Sequence, residues 1–198
     1  MMKKLTLFIA GLFRIHSLYA IEKMDDNLLV HYGNVNAPLK VIEYMSFSCP
    51  HCVKIFHDFP KIKKDYIDTG ILCFTFQPVP KDLTTLRALC CLEVLTEREK
   101  QIFLEGLFEY LDNNKENADE LCKVMQDFMT CFGKKDLQID DMAYLKQSPV
   151  MEKAFIFLTQ EEQVKALPTA EINGFLFASE LPNHTFFKVA VKAVLGEE

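Results

Sequence analysis

Two cysteines two residues apart, Cys49-Pro50-His51-Cys52, stand where a strand gives way to a helix, and that junction constrains this chain more than any other feature. Leu39 to Tyr44 (LKVIEY) is apolar and β-branched, with the length of a buried strand. After Ser46-Phe47-Ser48 and the cysteine pair, Val53, Phe56, Phe59, Ile62 and Ile67 give one inward face to a helix expected to run through Ile67. Pro50 suits the first helical turn, where no N–H is needed. Pro60 should bend or interrupt the helix, and Gly70 is placed to close it. Ile71 to Gln77 alternates as a second strand, stopped by Pro78-Val79-Pro80, whereas residues 21–37 read as a loose lead-in.

The following residues are helical in pattern, with segments from Asp82 to about Leu95 and from Glu97 to Leu111. Leu121, Val124, Met125, Phe128, Met129 and Phe132 then make an apolar stripe along one side of a third helix. A fourth region, Asp141 to Lys165, is interrupted at Pro149. The period then changes: Thr169 to Ile172 and Phe175 to Ala178 flank Asn173-Gly174, a strong hairpin signal. Pro182-Asn183 opens a final helix with Phe186, Phe187, Val189, Ala190, Val191 and Val194 available for burial. Strand, helix, strand, helical block, hairpin and helix together describe a single α/β domain carrying an insertion, with a right-handed parallel crossover at its start.

The N-terminus has another character. Lys3 and Lys4 precede the apolar run Leu5 to Phe13, and Ser17-Leu18-Tyr19-Ala20 follows it, the layout of a secretory signal peptide over residues 1–20. The run is far shorter than the roughly 20 residues a membrane span needs. Removal of Lys3, Lys4 and Arg14 would leave 19 basic against 28 acidic residues. That acidic balance excludes an ordinary nucleic-acid binder. An exported chain with seven cysteines belongs in an oxidising compartment.

The cysteine pair has three readings: a redox centre, half of a zinc site, or a structural disulfide. A zinc site needs a second ligand pair, and Cys90-Cys91 and Cys122…Cys131 lack the spacing. The strand-to-helix context favours redox chemistry. At the helix start, Cys49 should face unsatisfied N–H groups and the positive end of the helix dipole, both of which favour a thiolate, and His51 adds a donor or a positive charge. An unperturbed cysteine is only about 3% thiolate at neutral pH. Lowering its pKa by three units is worth about 4 kcal/mol, or roughly 90 mV of oxidising power if all of it enters the redox balance. Cys52, one turn further in, should be the shielded partner that resolves a mixed disulfide.

From Glu43 to Cys52, EYMSFSCPHC resembles the active-site segment of the DsbA family of thiol:disulfide oxidoreductases, Pro-His dipeptide included. GNVNAPLKVIEYMSFSCPHC, FPKIKKDYIDTG and LPTAEING are similar to that family from about Gly33 to Leu195, more specifically at the two ends than in the helical block. The resemblance implies a thioredoxin-like fold over residues 21–80 and 166–198, with an inserted helical subdomain over 81–165 between the βαβ unit and the C-terminal ββα unit. It implies Cys49 as the attacking cysteine, Cys52 as the resolving one, and Pro50-His51 as the dipeptide of strongly oxidising members. Pro168 matches a cis-proline that faces the pair and lets nearby backbone take up a substrate strand, and Leu167 precedes it where substrate release is tuned. Glu43 resembles a buried acid that moves a proton to or from Cys52; its other reading is an edge carboxylate reaching solvent. The chain departs from the family at Ala166-Leu167, where Gly-Thr or Val-Thr is common.

The implied activity is a monomeric periplasmic oxidase that forms a mixed disulfide through Cys49, with Cys52 then releasing the client. Its substrates are reduced exported proteins, and a DsbB-like quinone-linked membrane protein reoxidises it. No metal or organic cofactor is called for. An isomerase or reductase, and a peptide-binding module with a structural disulfide, are the competing readings. Cys73 reads as a small buried hydrophobe. Cys122 and Cys131 on one helix would lie about 13 Å apart, too far to bridge. A second disulfide would therefore join Cys90 or Cys91 to Cys122 or Cys131, against the alternative of buried thiols. His57 reads as a surface residue, His31 and His184 have no partners visible in sequence, and Asn183 reads as a helix cap.

Overall fold

The computed structural model describes residues 24–114, 118–160, 164–178 and 183–196. The expected signal peptide lies outside these residues. A short 3-10 turn, Asp26–Leu28, leads into β1 (Val30–Tyr32), then β2 (Leu39–Met45), the short helix α1 (Pro50–Val53) and α2 (Ile55–Ile62). The chain continues through β3 (Leu72–Pro78) and five helices: α3 (Leu83–Glu93), α4 (Glu97–Asn113), α5 (Ala118–Cys131), α6 (Met142–Gln147) and α7 (Pro149–Gln160). The hairpin β4 (Thr169–Ile172) and β5 (Phe175–Ala178) and the helix α8 (His184–Leu195) complete the described chain. No helix among the described residues is long and apolar enough to cross a membrane.

The sheet runs β1-β3-β2-β4-β5, with β2 and β3 parallel and the other neighbours antiparallel. The α/β class and the order of elements agree with the sequence reading, and so does the hairpin: Asn173 (φ 48°) and Gly174 (φ 87°) supply the two positive φ angles of its turn. Four details differ. The lead-in contains β1, whose three residues pair antiparallel with Phe74 to Phe76 of β3. β3 is buried along its whole length rather than on alternate residues, because both faces of a central strand are covered. The helix after the cysteines is not continuous: the α pattern breaks at Lys54, and beyond Pro60 the last turn widens into a π-type turn over Lys63–Ile67. Proline removes the N–H that a regular turn would use. On α8, Phe187 and Val191 are buried, but Val189 and Val194 face solvent.

Cross-strand partners share a face of a sheet, so Glu43 stands on the same side as Phe76 and Ala170. On that side Phe56 and Phe59 of α2 each lie 5.2 Å from the Phe76 ring, and Phe108 of α4 stacks on Phe56 at 3.7 Å. Tyr32 and Phe74 complete this aromatic layer. It seats α2 on the sheet and thereby fixes where the preceding turn, α1, presents the cysteine pair.

Candidate active site

Cys49 occupies the cap position of α1 in extended backbone (φ −98°, ψ 109°), with Pro50 as the first helical residue. Cys49 is half-buried and Cys52 has no exposed surface; Pro50 and His51 are exposed. The amides of Cys52 and Val53 donate to the Cys49 carbonyl, at 2.9 and 3.4 Å. None of the helix amides caps onto the Cys49 sulfur. This corrects the expectation that the sulfur faces several free N–H groups. Pro50 has no N–H, two of the following amides turn to the carbonyl, and α1 is only one turn long. The Cys49 thiol instead donates to the Leu167 carbonyl at 3.7 Å, a weak S–H bond.

Sheet register explains why residue 167 arrives there. Tyr44 lies across from Thr169, so the residues just before β4 fall beside the end of β2. The Leu167–Pro168 peptide is cis, and Thr169 Oγ1 donates to the Ala166 carbonyl at 2.7 Å, closing the turn. Pro168 is buried and Leu167 half-buried. Residues 118 positions apart in sequence thus form the two walls of one site.

Beneath them lies Glu43. It is fully buried, and neither carboxyl oxygen finds a hydrogen-bond partner among the described residues. The reading of Glu43 as an edge carboxylate reaching solvent is therefore excluded. Burial pushes its carboxyl well above the usual range, and the charge of Cys49 adds to the shift. The Cys52 thiol is pushed up as well, chiefly by burial and then by its hydrogen bond with Cys49; Glu43 acts in the same direction and the Ser46 backbone in the opposite one. Glu43, Cys49 and Cys52 form one electrostatic group, an arrangement able to hold a proton beside a sulfur that must gain or lose one.

A thioredoxin family model matches residues 27–189, most of the chain. The chain belongs to the thioredoxin family. This thioredoxin-family protein is similar in fold to two solved structures. One is oxidised BdbD of Bacillus subtilis (TM-score 0.66, 22% identity, covering 89% of this chain and 98% of that one). The other is alpha-DsbA1 of Wolbachia pipientis (TM-score 0.65, 22% identity, 85% and 91%). Among curated sequences, disulfide bond formation protein D of Bacillus subtilis (strain 168) is 46% identical over 46 residues, 22% of this chain and 20% of that protein. Such matches span about a fifth of the length of the curated relatives.

The thioredoxin-family protein also holds groups that sequence reasoning did not place in the site. Ser46, Ser48, Asp82 and Thr85 form a hydrogen-bonded cluster at the approach to Cys49. The sequence signal for Asp82 was only that of a residue opening a helix. His31 bonds Thr75 and Asp26, His57 pairs with Asp112 at 3.0 Å on the surface, and His184 pairs with Asp65 at 2.9 Å. Asn183 caps α8 by accepting from the Phe186 amide. Cys90 and Cys91 are buried free thiols and Cys131 an exposed one, while Cys73 and Cys122 are buried. Burial pushes Cys90 and Cys91 up, with Cys122 adding to the effect at Cys91.

Proposed function

We propose that the protein is a thiol:disulfide oxidoreductase working as an oxidase, which hands the Cys49–Cys52 disulfide to reduced exported proteins. The observation that carries this reading is the half-exposed Cys49 sulfur set against the Leu167 carbonyl beside Pro168, with a fully buried Cys52 and a Glu43 that has no partner among the described residues. Accessibility assigns the order of events, because of the two paired cysteines a client can reach Cys49 and not the buried Cys52.

In donation, a client thiolate attacks the Cys49 sulfur, a mixed disulfide forms, and the Cys49–Cys52 bond breaks with its electron pair on Cys52. Cys52 takes a proton, for which Glu43 is the nearby acid. A second client thiolate then attacks the client sulfur of the mixed disulfide, and Cys49 leaves as the thiolate. The client departs with a disulfide and the protein departs as a dithiol. Electron balance corrects one expectation here: attack by Cys52 on the mixed disulfide would return the client reduced. Cys52 is therefore the leaving group in donation and the escape nucleophile for a stalled client. Leu167 and Pro168 present the backbone on which an extended client segment lies, with Pro50 and His51 at the exposed rim.

Export to the periplasm, a monomeric state and reoxidation by a DsbB-like quinone-linked membrane protein belong to this reading. They are supported by the N-terminal layout and the resemblance around Cys49. The test is oxidation of a reduced dithiol peptide by the oxidised protein, run beside repair of a scrambled disulfide substrate and a glutathione equilibrium. Fast peptide oxidation with little repair is expected. A poise as reducing as a cytosolic dithiol, or repair outpacing oxidation, overturns the oxidase direction; peptide binding without any thiol exchange overturns the enzyme.

A further inference from the structure

Asp82 is the N-cap of α3, accepting from the Thr85 amide at 2.7 Å. A helix cap asks for nothing more, yet the same carboxylate takes three further hydrogen bonds. Its Oδ2 accepts from Ser46 Oγ at 2.6 Å and Thr85 Oγ1 at 2.9 Å, and its Oδ1 accepts from Ser48 Oγ at 3.0 Å. Both serines belong to the loop between β2 and Cys49.

The cluster extends to the backbone of that loop. The Phe47 amide donates to Thr85 Oγ1 at 3.1 Å and the Ser48 amide to Ser46 Oγ at 3.0 Å, while the Cys49 amide reaches the Ser46 carbonyl at 3.2 Å. Ser46 and Thr85 are buried. Every amide from residue 47 to residue 49 is thereby held. Bonds to an ionised carboxylate are the stronger kind, and in buried surroundings a connected set of them is stiff.

We propose that Asp82 is a positioning residue for disulfide exchange: by clamping Ser46 and Ser48 to the first turn of α3, it fixes the loop that runs into Cys49 and so holds the Cys49 sulfur in place beside the Leu167 carbonyl. The inference rests on the exchange reading given above. When a client thiolate attacks Cys49, the Cys49–Cys52 bond breaks and Cys52 receives the electron pair in a site whose burial opposes the charge. A Cys49 sulfur already held in the geometry of attack needs no reorganisation during the step. Without the clamp the loop must find that placement each time, so the chemical step slows while client binding at Leu167 and Pro168 is untouched.

The experiment compares steady-state oxidation of a reduced dithiol peptide, with excess glutathione disulfide as terminal oxidant, by the unmodified protein and by Asp82→Ser, Asp82→Asn and Asp141→Ser. Serine still caps a helix, but its hydroxyl cannot span from α3 to the loop. Asparagine caps equally well and keeps one acceptor oxygen. Asp141 caps α6 by accepting from Ala143, so Asp141→Ser makes the same cap change away from the cysteine pair. For Asp82→Ser, kcat is expected to fall about tenfold with KM unchanged, less than the roughly hundredfold that a misplaced reacting group can cost. Asp82→Asn should lie between, and Asp141→Ser should match the unmodified protein. Should Asp82→Ser not fold, Asp82→Asn carries the comparison, with a partial kcat loss expected. A kcat within about twofold of normal in the folded Asp82 variants, a loss confined to KM, or an equal loss in Asp141→Ser overturns the proposal. Absence of exchange in the unmodified protein would instead overturn the exchange reading itself.

Discussion

Replacing Glu43 with leucine should make the protein more stable and a poorer catalyst. The carboxyl is fully buried, with both oxygens unpartnered among the described residues. An unmet buried polar group costs roughly 1–3 kcal/mol, and exchanging buried charge for an apolar side chain of like volume often gains about 1–4 kcal/mol. Leucine has nearly the volume of glutamate and suits the face shared with Phe76 and Ala170. Glu43→Leu should therefore stabilise the dithiol form by about 2–4 kcal/mol near pH 8, a rise in Tm of roughly 5–15 °C for a chain of this size. The sign of the pH dependence follows from the raised carboxyl pKa. Between the ordinary glutamate value and the raised one, the folded protein binds more protons than the unfolded chain, so native stability falls as pH climbs through that window. The leucine variant does not pay this penalty. Its advantage is largest above the window and shrinks towards about pH 3, below the ordinary glutamate value, where the acid is neutral in both states. Urea and thermal unfolding of the reduced proteins between these limits measure it. A gain equal at both pH extremes, or none near pH 8, would refute the account of Glu43 as a buried, reluctantly ionised acid.

Cys52→Ser should accumulate a mixed disulfide on Cys49 when mixed with an oxidised peptide, because the escape thiol beside it is gone; mass spectrometry reads the adduct, and Cys49→Ser should give none at this pair. Gly106→Ala should destabilise the fold despite alanine's helix preference, worth about 1 kcal/mol. A Cβ there collides with the Phe128 ring, which is itself held against Phe103 and Phe132. A net loss of about 1–2 kcal/mol in urea unfolding is expected, and a gain would show that the α4–α5 contact yields easily.

Most of the fold was legible because its signals are local. The hairpin needed only Asn173-Gly174 between two apolar runs, and α4 carries a full capping box, Thr96 with Glu99. β1 escaped because a three-residue strand offers too few positions to show a period, and its pairing partner, Phe74 to Phe76, lies more than 40 residues away. The break at Lys54 has no composition signal: the residue keeps helical angles (φ −63°, ψ −25°) and only the hydrogen bonding changes. Val189 and Val194 show that apolar character on a terminal helix does not settle which side meets the sheet.

The site divides along the same line. The pair itself and its exposure gradient follow from one strand running into one helix, so adjacent sequence describes them, whereas the burial of Glu43 was open between two readings until β3 and β4 flanked its strand. The wall made by Leu167 and Pro168 depends on register across two strands, and it was reached through resemblance rather than spacing. Asp82 was out of reach altogether, since nothing near it in sequence reveals that a helix cap also grips a loop 36 residues earlier. The cap and the clamp have a common physical cause. A carboxylate has more acceptor sites than one helix end requires, and burial makes leaving them empty costly, so the surplus is spent on the two serines that steer the chain into Cys49. Local rules can assign a residue such as Asp82 its first task; its second exists only once the loop after β2 meets the first turn of α3, and it is this contact that ties the helices following β3 to the loop that carries Cys49.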